Sequence, residues 1–178
     1  MSPLGTVHLV FSLVAVLTGG IVVLRPKGTR WHRTIGHLYA TSMVGIVVTS
    51  LFLFTLTGRF GPFHVAAVVA GLTLMAGMGT VLFRRPKKKW IEHHASWMSW
   101  SYIGLMAAFV AESATRFIMP AMGTYLAANS LMGAFWGIVS VATFLVVGLG
   151  VWATKTRLEA AIAKTPEAIR REREALRA

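Results

Sequence analysis

Five apolar stretches dominate the sequence, and each is long enough to cross a bilayer as a helix. A helix needs about 20 mostly apolar residues to span the hydrocarbon core. Of the 178 residues, 55% are hydrophobic and only 13% are charged, whereas soluble domains carry about 25% charged residues. The stretches are 4–24, 34–56, 62–83, 94–119 and 131–154, the fourth being stopped by Pro120. The sequence therefore predicts an all-α integral membrane bundle of five transmembrane helices.

The composition changes at residue 155, where the last apolar stretch gives way to a polar and basic sequence. Apolar residues recur there only sparsely, at the spacing of an amphipathic helix. These residues are Leu158, Ile162, Ile169 and Leu176. We therefore predict two parts, a five-helix transmembrane domain at 1–154 and a cytoplasmic amphipathic basic tail at 155–178.

The basic residues predict how the helices are oriented. Of the 18 Lys and Arg residues, all but two lie in the segments 25–33 and 84–89 and in the tail. Only Arg59 and Arg116 lie at the opposite end of the predicted helices. Cytoplasmic loops carry the excess of Lys and Arg in membrane proteins, so we expect the N-terminus outside and the C-terminus in the cytoplasm. This is the pattern of a multi-pass protein of the bacterial inner membrane. It accounts for the net charge of +12 without a nucleic-acid partner.

The six histidines fall at alternate ends of successive predicted helices. Two lie about one turn inside the outer ends of the first and third helices, namely His8 and His64. Four lie at the cytoplasmic ends of the second and fourth helices, namely His32, His37, His93 and His94. In an up-and-down bundle, alternate helices can sit diagonally opposed. The pattern predicts an outer site of His8 and His64, and an inner site of His94 with His37 or His32.

Paired histidines inside a helical bundle favour haem b, whose iron takes axial histidine ligands. The chain has no cysteine, which excludes iron–sulfur clusters and thiolate metal sites. The first interpretation is therefore an electron-transfer protein of the membrane with a haem or metal at each layer. We expect such a protein to exchange electrons with a quinone or another redox partner, and a homo-oligomer is compatible with it.

A carboxylate in the fourth helix supports a second interpretation. Glu112 lies eighteen residues after His94, which is about five turns, so both side chains point the same way. Together with His8 and His64, Glu112 would form a set of two histidines and one carboxylate, which suits iron or zinc. Arg116 follows Glu112 by four residues, a spacing that predicts an ion pair, and it could also neutralise a haem propionate. The alternative is thus a non-haem metal-binding membrane protein or enzyme.

A third interpretation is a structural membrane protein whose histidines lie at the headgroup level, where an amphipathic ring is tolerated. The sequence contains no phosphate-binding loop, no Gly-x-Ser-x-Gly and no His-Glu-x-x-His motif. No enzyme class is therefore indicated, and the question of an activity stays open at the level of the sequence.

Several short motifs resemble a family of bacterial predicted membrane proteins that is known only as a domain of unknown function. They are His8 in the first helix, His32, Arg33, Gly36 and Tyr39 at the entry to the second, His94, Trp97 and Met98 at a later entry, and Arg116 downstream. The resemblance extends to Pro120 and implies fold and topology, but no activity. Its pattern favours His32, whereas depth in the helix favours His37, and it has no firm counterpart of His64. The alternation of histidines is also similar to that of transmembrane di-haem b-type cytochromes.

The absence of cysteine makes the orientation directly testable with single introduced thiols. We expect Ser2→Cys to react with a membrane-impermeant maleimide in intact cells, because the N-terminus is predicted outside. Lys87→Cys should react only after the membrane is opened, because it lies in a basic loop. Each variant is the control for the other, and the reverse labelling pattern would contradict the predicted orientation.

Overall fold

A computed structural model describes residues 2–25, 27–54, 58, 60–87, 89–122 and 128–175, and every regular element in this part of the chain is helical. The helices are α1 (Pro3–Leu24), α2 (Arg30–Phe52), α3 (Pro62–Phe83), α4 (Trp90–Met122) and α5 (Ala128–Ala175). Each of the five is long and apolar enough to cross a membrane. The predicted all-α architecture with five transmembrane helices is confirmed, and its orientation stays a prediction.

The second helix begins earlier than the apolar stretch predicts. It starts at Arg30 rather than at residue 34, because the Thr29 hydroxyl accepts a hydrogen bond from the backbone N–H of His32 at 3.1 Å. Such an N-cap satisfies a donor that the first turn leaves unpaired. The helix ends at Phe52. Residues 55 and 56 of the predicted stretch lie outside the described residues.

The last two helices differ from the predicted boundaries. α4 runs two residues beyond Pro120 to Met122, so the prediction that Pro120 stops this helix is wrong. A proline lacks one backbone N–H, and the loss of that single bond so close to the end of a helix still allows a final partial turn. α5 continues through residue 155 as far as Ala175. Composition changes at 155 but the helix does not break there, and the separate status of the tail stays a prediction.

The chain divides into two compact units, Met1–Phe109 and Val110–Ala178. In the first unit α2 packs against both α1 and α3. We call the end where α1 and α3 finish and α2 and α4 begin the basic end, because Arg25, Arg30 and Arg84 lie there. The opposite end holds the first turns of α1 and α3 and the last turn of α2. The second unit contains the remainder of α4 and α5.

Two tyrosines, one buried and one half-buried, join three helices of the first unit. Tyr39 of α2 is 2% exposed, and its hydroxyl lies 2.9 Å from the hydroxyl of Ser101 in α4. The neighbouring Tyr102 donates its hydroxyl to the backbone carbonyl of Val16 in α1 at 3.2 Å. Both rings rest on Gly19 of α1, where an added Cβ would lie 2.5 Å from Tyr102 and 2.9 Å from Tyr39. The missing side chain thus allows α2 and α4 to pack against α1 with their hydroxyls satisfied.

This contact predicts that Gly19→Ala destabilises the first unit by about 1–3 kcal/mol, the usual cost of overpacking. Gly104→Ala is the matched control, because a Cβ there would meet no atom within 4 Å and alanine is the better helix former. Reversible unfolding of the purified protein in detergent micelles measures both changes. Equal stability of the two variants would show that the tyrosines do not depend on close approach to Gly19.

Candidate functional site

His94 is held in a fixed orientation by the backbone of the neighbouring helix. It lies in the second turn of α4 and is half-buried, and its Nδ1 is 2.9 Å from the carbonyl oxygen of Gly77 in α3. A carbonyl only accepts, so Nδ1 carries the proton and the lone pair of a neutral ring is on Nε2. An added Cβ at Gly77 would lie 2.7 Å from the sulfur of Met98, so the helices meet closely here because this residue is glycine.

His32 lies at the basic end, as His94 does. It is in the first turn of α2 and half-buried, and His94 and Lys27 lie within electrostatic range of its ring. Its Nδ1 is buried and has no hydrogen-bond partner in the part of the chain that the structure describes. The predicted inner site of His94 with His32 or His37 stays a prediction.

The other two histidines of this end are exposed. His37 donates its Nδ1–H to the carbonyl of Arg33, one turn back on its own helix, at 2.6 Å. His93 is exposed on α4, beside His94 in sequence but rotated about 100° from it. Depth along the apolar stretch favoured His37 over His32. In the structure α2 begins at Arg30, so His32 also lies within the helix, and the choice between the two stays open.

At the opposite end, His8 is bound to a threonine of the neighbouring helix. Its Nδ1 lies 2.8 Å from the hydroxyl oxygen of Thr49 in α2. The Thr49 hydroxyl lies 2.7 Å from the carbonyl oxygen of Gly45, to which it donates, so its oxygen accepts the Nδ1–H of His8. The lone pair of His8 is then on Nε2, as in His94. This chain of two hydrogen bonds joins the first turns of α1 to the last turns of α2.

His64 at the same end adopts the other tautomer. It is 2% exposed, and its Nδ1 accepts a hydrogen bond of 3.2 Å from the backbone N–H of Gly61. Nε2 of the neutral ring therefore carries the proton. This nitrogen is buried without a hydrogen-bond partner among the described residues. A protonated nitrogen has no lone pair for a metal, so His64 would have to give up its bond with Gly61 to act as the predicted outer ligand.

The charged residues of α4 form the predicted ion pair. Arg116 donates through its Nε to Glu112 Oε1 at 2.9 Å, and a second guanidinium nitrogen contacts the same oxygen. Both side chains are partly exposed. They belong to the second unit, so the predicted set of His8, His64 and Glu112 and the predicted role of Arg116 toward a haem propionate stay predictions. Within the described residues, no three His, Asp or Glu side chains form a group that could hold a metal ion.

The sequence places the chain among known families. Residues 5–147 match the family model described as Predicted membrane protein (DUF2306). The chain belongs to this family. The match covers more than half of the sequence and includes all six histidines, Glu112 and Arg116. The resemblance to an uncharacterised family of membrane proteins is thereby confirmed. No curated protein and no solved structure matches the chain, and similarity to di-haem cytochromes is not shown.

Two partners of the candidate histidines were not predicted, namely Thr49 for His8 and Gly77 for His94. Each lies on a neighbouring antiparallel helix at the same depth as its histidine. The lengths of the predicted helices and of the loops between them determine how deep each residue lies along the bundle. The sequence therefore indicates which turn of the neighbouring helix lies beside each histidine. These lengths do not determine how each helix is rotated about its axis. That rotation decides whether a side chain or a backbone carbonyl faces the histidine ring.

The contact of His8 predicts that Thr49→Val destabilises the first unit by about 1–3 kcal/mol, because valine keeps the shape and removes the acceptor of the Nδ1–H. Thr41→Val is the control, since it makes the same change at an exposed position of the same helix. Unfolding in detergent micelles compares the two. An equal loss of unfolding free energy in both variants would show that the substitution acts on the helix and not on the contact with His8.

Proposed function

We propose that the protein is a redox protein of the membrane that binds haem b or a metal ion at its basic end, between His94 of α4 and His32 of α2. The observation that carries the proposal is the bond from His94 Nδ1–H to the Gly77 carbonyl. Histidines that ligate metals donate their second ring nitrogen to a carbonyl or carboxylate, which fixes the ring and keeps the lone pair directed at the metal. His94 has this arrangement.

The surroundings of the two histidines support the same assignment. They come from different helices and are half-buried at the border between the apolar bundle and the basic loops. Haem b carries two negatively charged propionates, and the basic end supplies cations that suit them. Arg30 precedes His32 by two residues, and Arg33 directly follows it. Among the histidines of α2, His32 lies within electrostatic range of His94, whereas His37 is exposed and bonded to its own helix.

In this proposal His94 and His32 are the ligands, Gly77 orients one of them, and the apolar helices exclude water from the site. Bound haem supplies a one-electron couple whose potential depends on the axial ligands and on burial. The protein would exchange that electron with a quinone or another redox partner in the bilayer. A zinc or iron ion held by the same two histidines is the closest alternative.

A second candidate is a non-haem metal site at the opposite end, formed by His8, His64 and Glu112. The tautomer of His8 favours its part in such a site, because Thr49 orients the ring with the lone pair on Nε2. The tautomer of His64 weighs against its part, because Nδ1 already accepts a bond from Gly61. The basic end is therefore the better supported location.

Absorption spectroscopy of the protein purified in mild detergent tests the proposal. We expect a Soret band in the wild type, and haem occupancy reduced at least about tenfold in His94→Ala and in His32→Ala. His93→Ala should keep the band, because this exposed neighbour carries the same substitution on the same helix.

The metal content of the same samples separates the alternatives. A colourless protein with stoichiometric zinc or iron that is lost in His94→Ala and His32→Ala would support the metal alternative in place of haem. Metal lost instead in His8→Ala would support the second candidate. A colourless protein without bound metal would contradict both and leave the structural interpretation.

A further inference from the structure

His64 combines deep burial with a hydrogen-bond donor that has no partner among the described residues. Its Nδ1 is engaged by the N–H of Gly61, which leaves the proton on Nε2. That nitrogen is buried and has no acceptor in the described part of the chain. A buried donor that has lost its water is costly, the more so where hydrocarbon replaces water, so such a group calls for an acceptor from elsewhere.

Two phenylalanines flank the ring of His64. Phe54 stacks on it with centroids 4.8 Å apart and an interplanar angle of 26°, and Phe60 lies 4.9 Å away at 32°. Both phenylalanines are themselves exposed, Phe54 by 42% and Phe60 by 60%. In a bilayer these exposed ring surfaces meet lipid. The N–H itself is buried between these two aromatic rings, so a molecule dissolved in the membrane meets it only by displacing one of them.

We propose that the Nε2–H of His64 donates a hydrogen bond to the carbonyl oxygen of a quinone, which enters from the bilayer by displacing one of the two covering phenylalanines, Phe54 or Phe60, and stacks on the other. A quinone has the three properties that the site requires, namely an acceptor oxygen, a flat ring and solubility in lipid. Flat rings stack favourably on phenylalanine. A metal ion is excluded for this tautomer, because Nε2 has no lone pair to give.

This inference deepens the proposed function, since it names the redox partner and places it at the end opposite the proposed haem. It rests on that function only for the electron exchange, because the hydrogen bond itself requires no haem. The ester carbonyl of a phospholipid offers the same acceptor chemistry. The experiment must therefore separate a quinone from a lipid.

Two substitutions of His64 separate the roles of its two ring nitrogens. Asparagine places an oxygen near the position of Nδ1, so His64→Asn keeps an acceptor for Gly61 N–H and removes the outer donor. Glutamine reaches further and places an N–H near the position of Nε2, so His64→Gln keeps the outer donor and weakens the bond to Gly61. One variant thus preserves the start of α3, and the other preserves the ligand contact.

Calorimetric titration of the purified full-length protein with a short-chain benzoquinone tests the proposal. We expect micromolar or tighter binding by the wild type, an affinity about tenfold lower in His64→Asn, which is the value of one hydrogen bond, and an affinity within about threefold of wild type in His64→Gln. Thermal unfolding should show the reverse order, with His64→Gln less stable than His64→Asn. Affinities that follow the order of stability would overturn the proposal, because His64 would then act only through the fold.

Two further outcomes also count against the quinone. An unchanged affinity in all three proteins would place its binding elsewhere. Absence of quinone binding, together with a co-purifying phospholipid that is lost in His64→Asn, would assign the donor to a lipid ester carbonyl. The absorption spectrum and metal content of the same wild-type sample report on the basic end separately. A colourless, metal-free protein that binds quinone through His64 would refute the proposed function and support this inference. A protein that contains haem or metal but does not bind quinone through His64 would support the proposed function and refute this inference.

Discussion

Hydrocarbon supplies no hydrogen-bond partners, and the side-chain contacts of the first unit follow from this constraint. Ser12 and Thr18 donate to carbonyls of the preceding turn of their own helix, at 2.9 Å and 2.6 Å. Tyr39 pairs with Ser101, and Tyr102 reaches the backbone of α1. Polar groups thereby become points at which helices are joined. Within the described part of the chain, His32 Nδ1 and His64 Nε2 are buried without a partner, and for that reason both histidines are candidates for binding a ligand.

The partner of each histidine decides what its ring can do. His8 and His94 both face an oxygen that accepts, so each donates through Nδ1 and keeps its lone pair on Nε2. His64 faces a backbone N–H, so the positions of proton and lone pair are exchanged. In a neutral ring, His8 and His94 therefore have the Nε2 lone pair that a metal requires, whereas His64 has an N–H there. The proposed haem or metal site at the basic end and the proposed carbonyl contact of His64 rest on this difference.

The sequence allowed the five helices to be predicted because length and hydrophobicity decide which segments enter a bilayer, and both are local properties. The predicted ends of two helices were wrong because local contacts at those ends are not visible in the hydrophobicity. The Thr29 cap starts α2 earlier than predicted, and α4 continues for a partial turn after Pro120. The depth of the histidines followed from the same local properties. Their partners did not, because the rotation of each helix is set by packing features such as the contact of two tyrosines with Gly19.

The anchor of His94 is a backbone carbonyl, and this has a mechanical consequence. Substitution of Gly77 cannot remove the acceptor of the His94 Nδ1–H, because every amino acid has a backbone carbonyl oxygen. The ring is sensitive instead to the axial position of α3. A shift of one residue along the helix is about 1.5 Å and a rotation of about 100°, which would carry the Gly77 carbonyl away from Nδ1. The orientation of the proposed ligand is thus tied to the register between α3 and α4, and a displacement of either helix would reorient the Nε2 lone pair of His94.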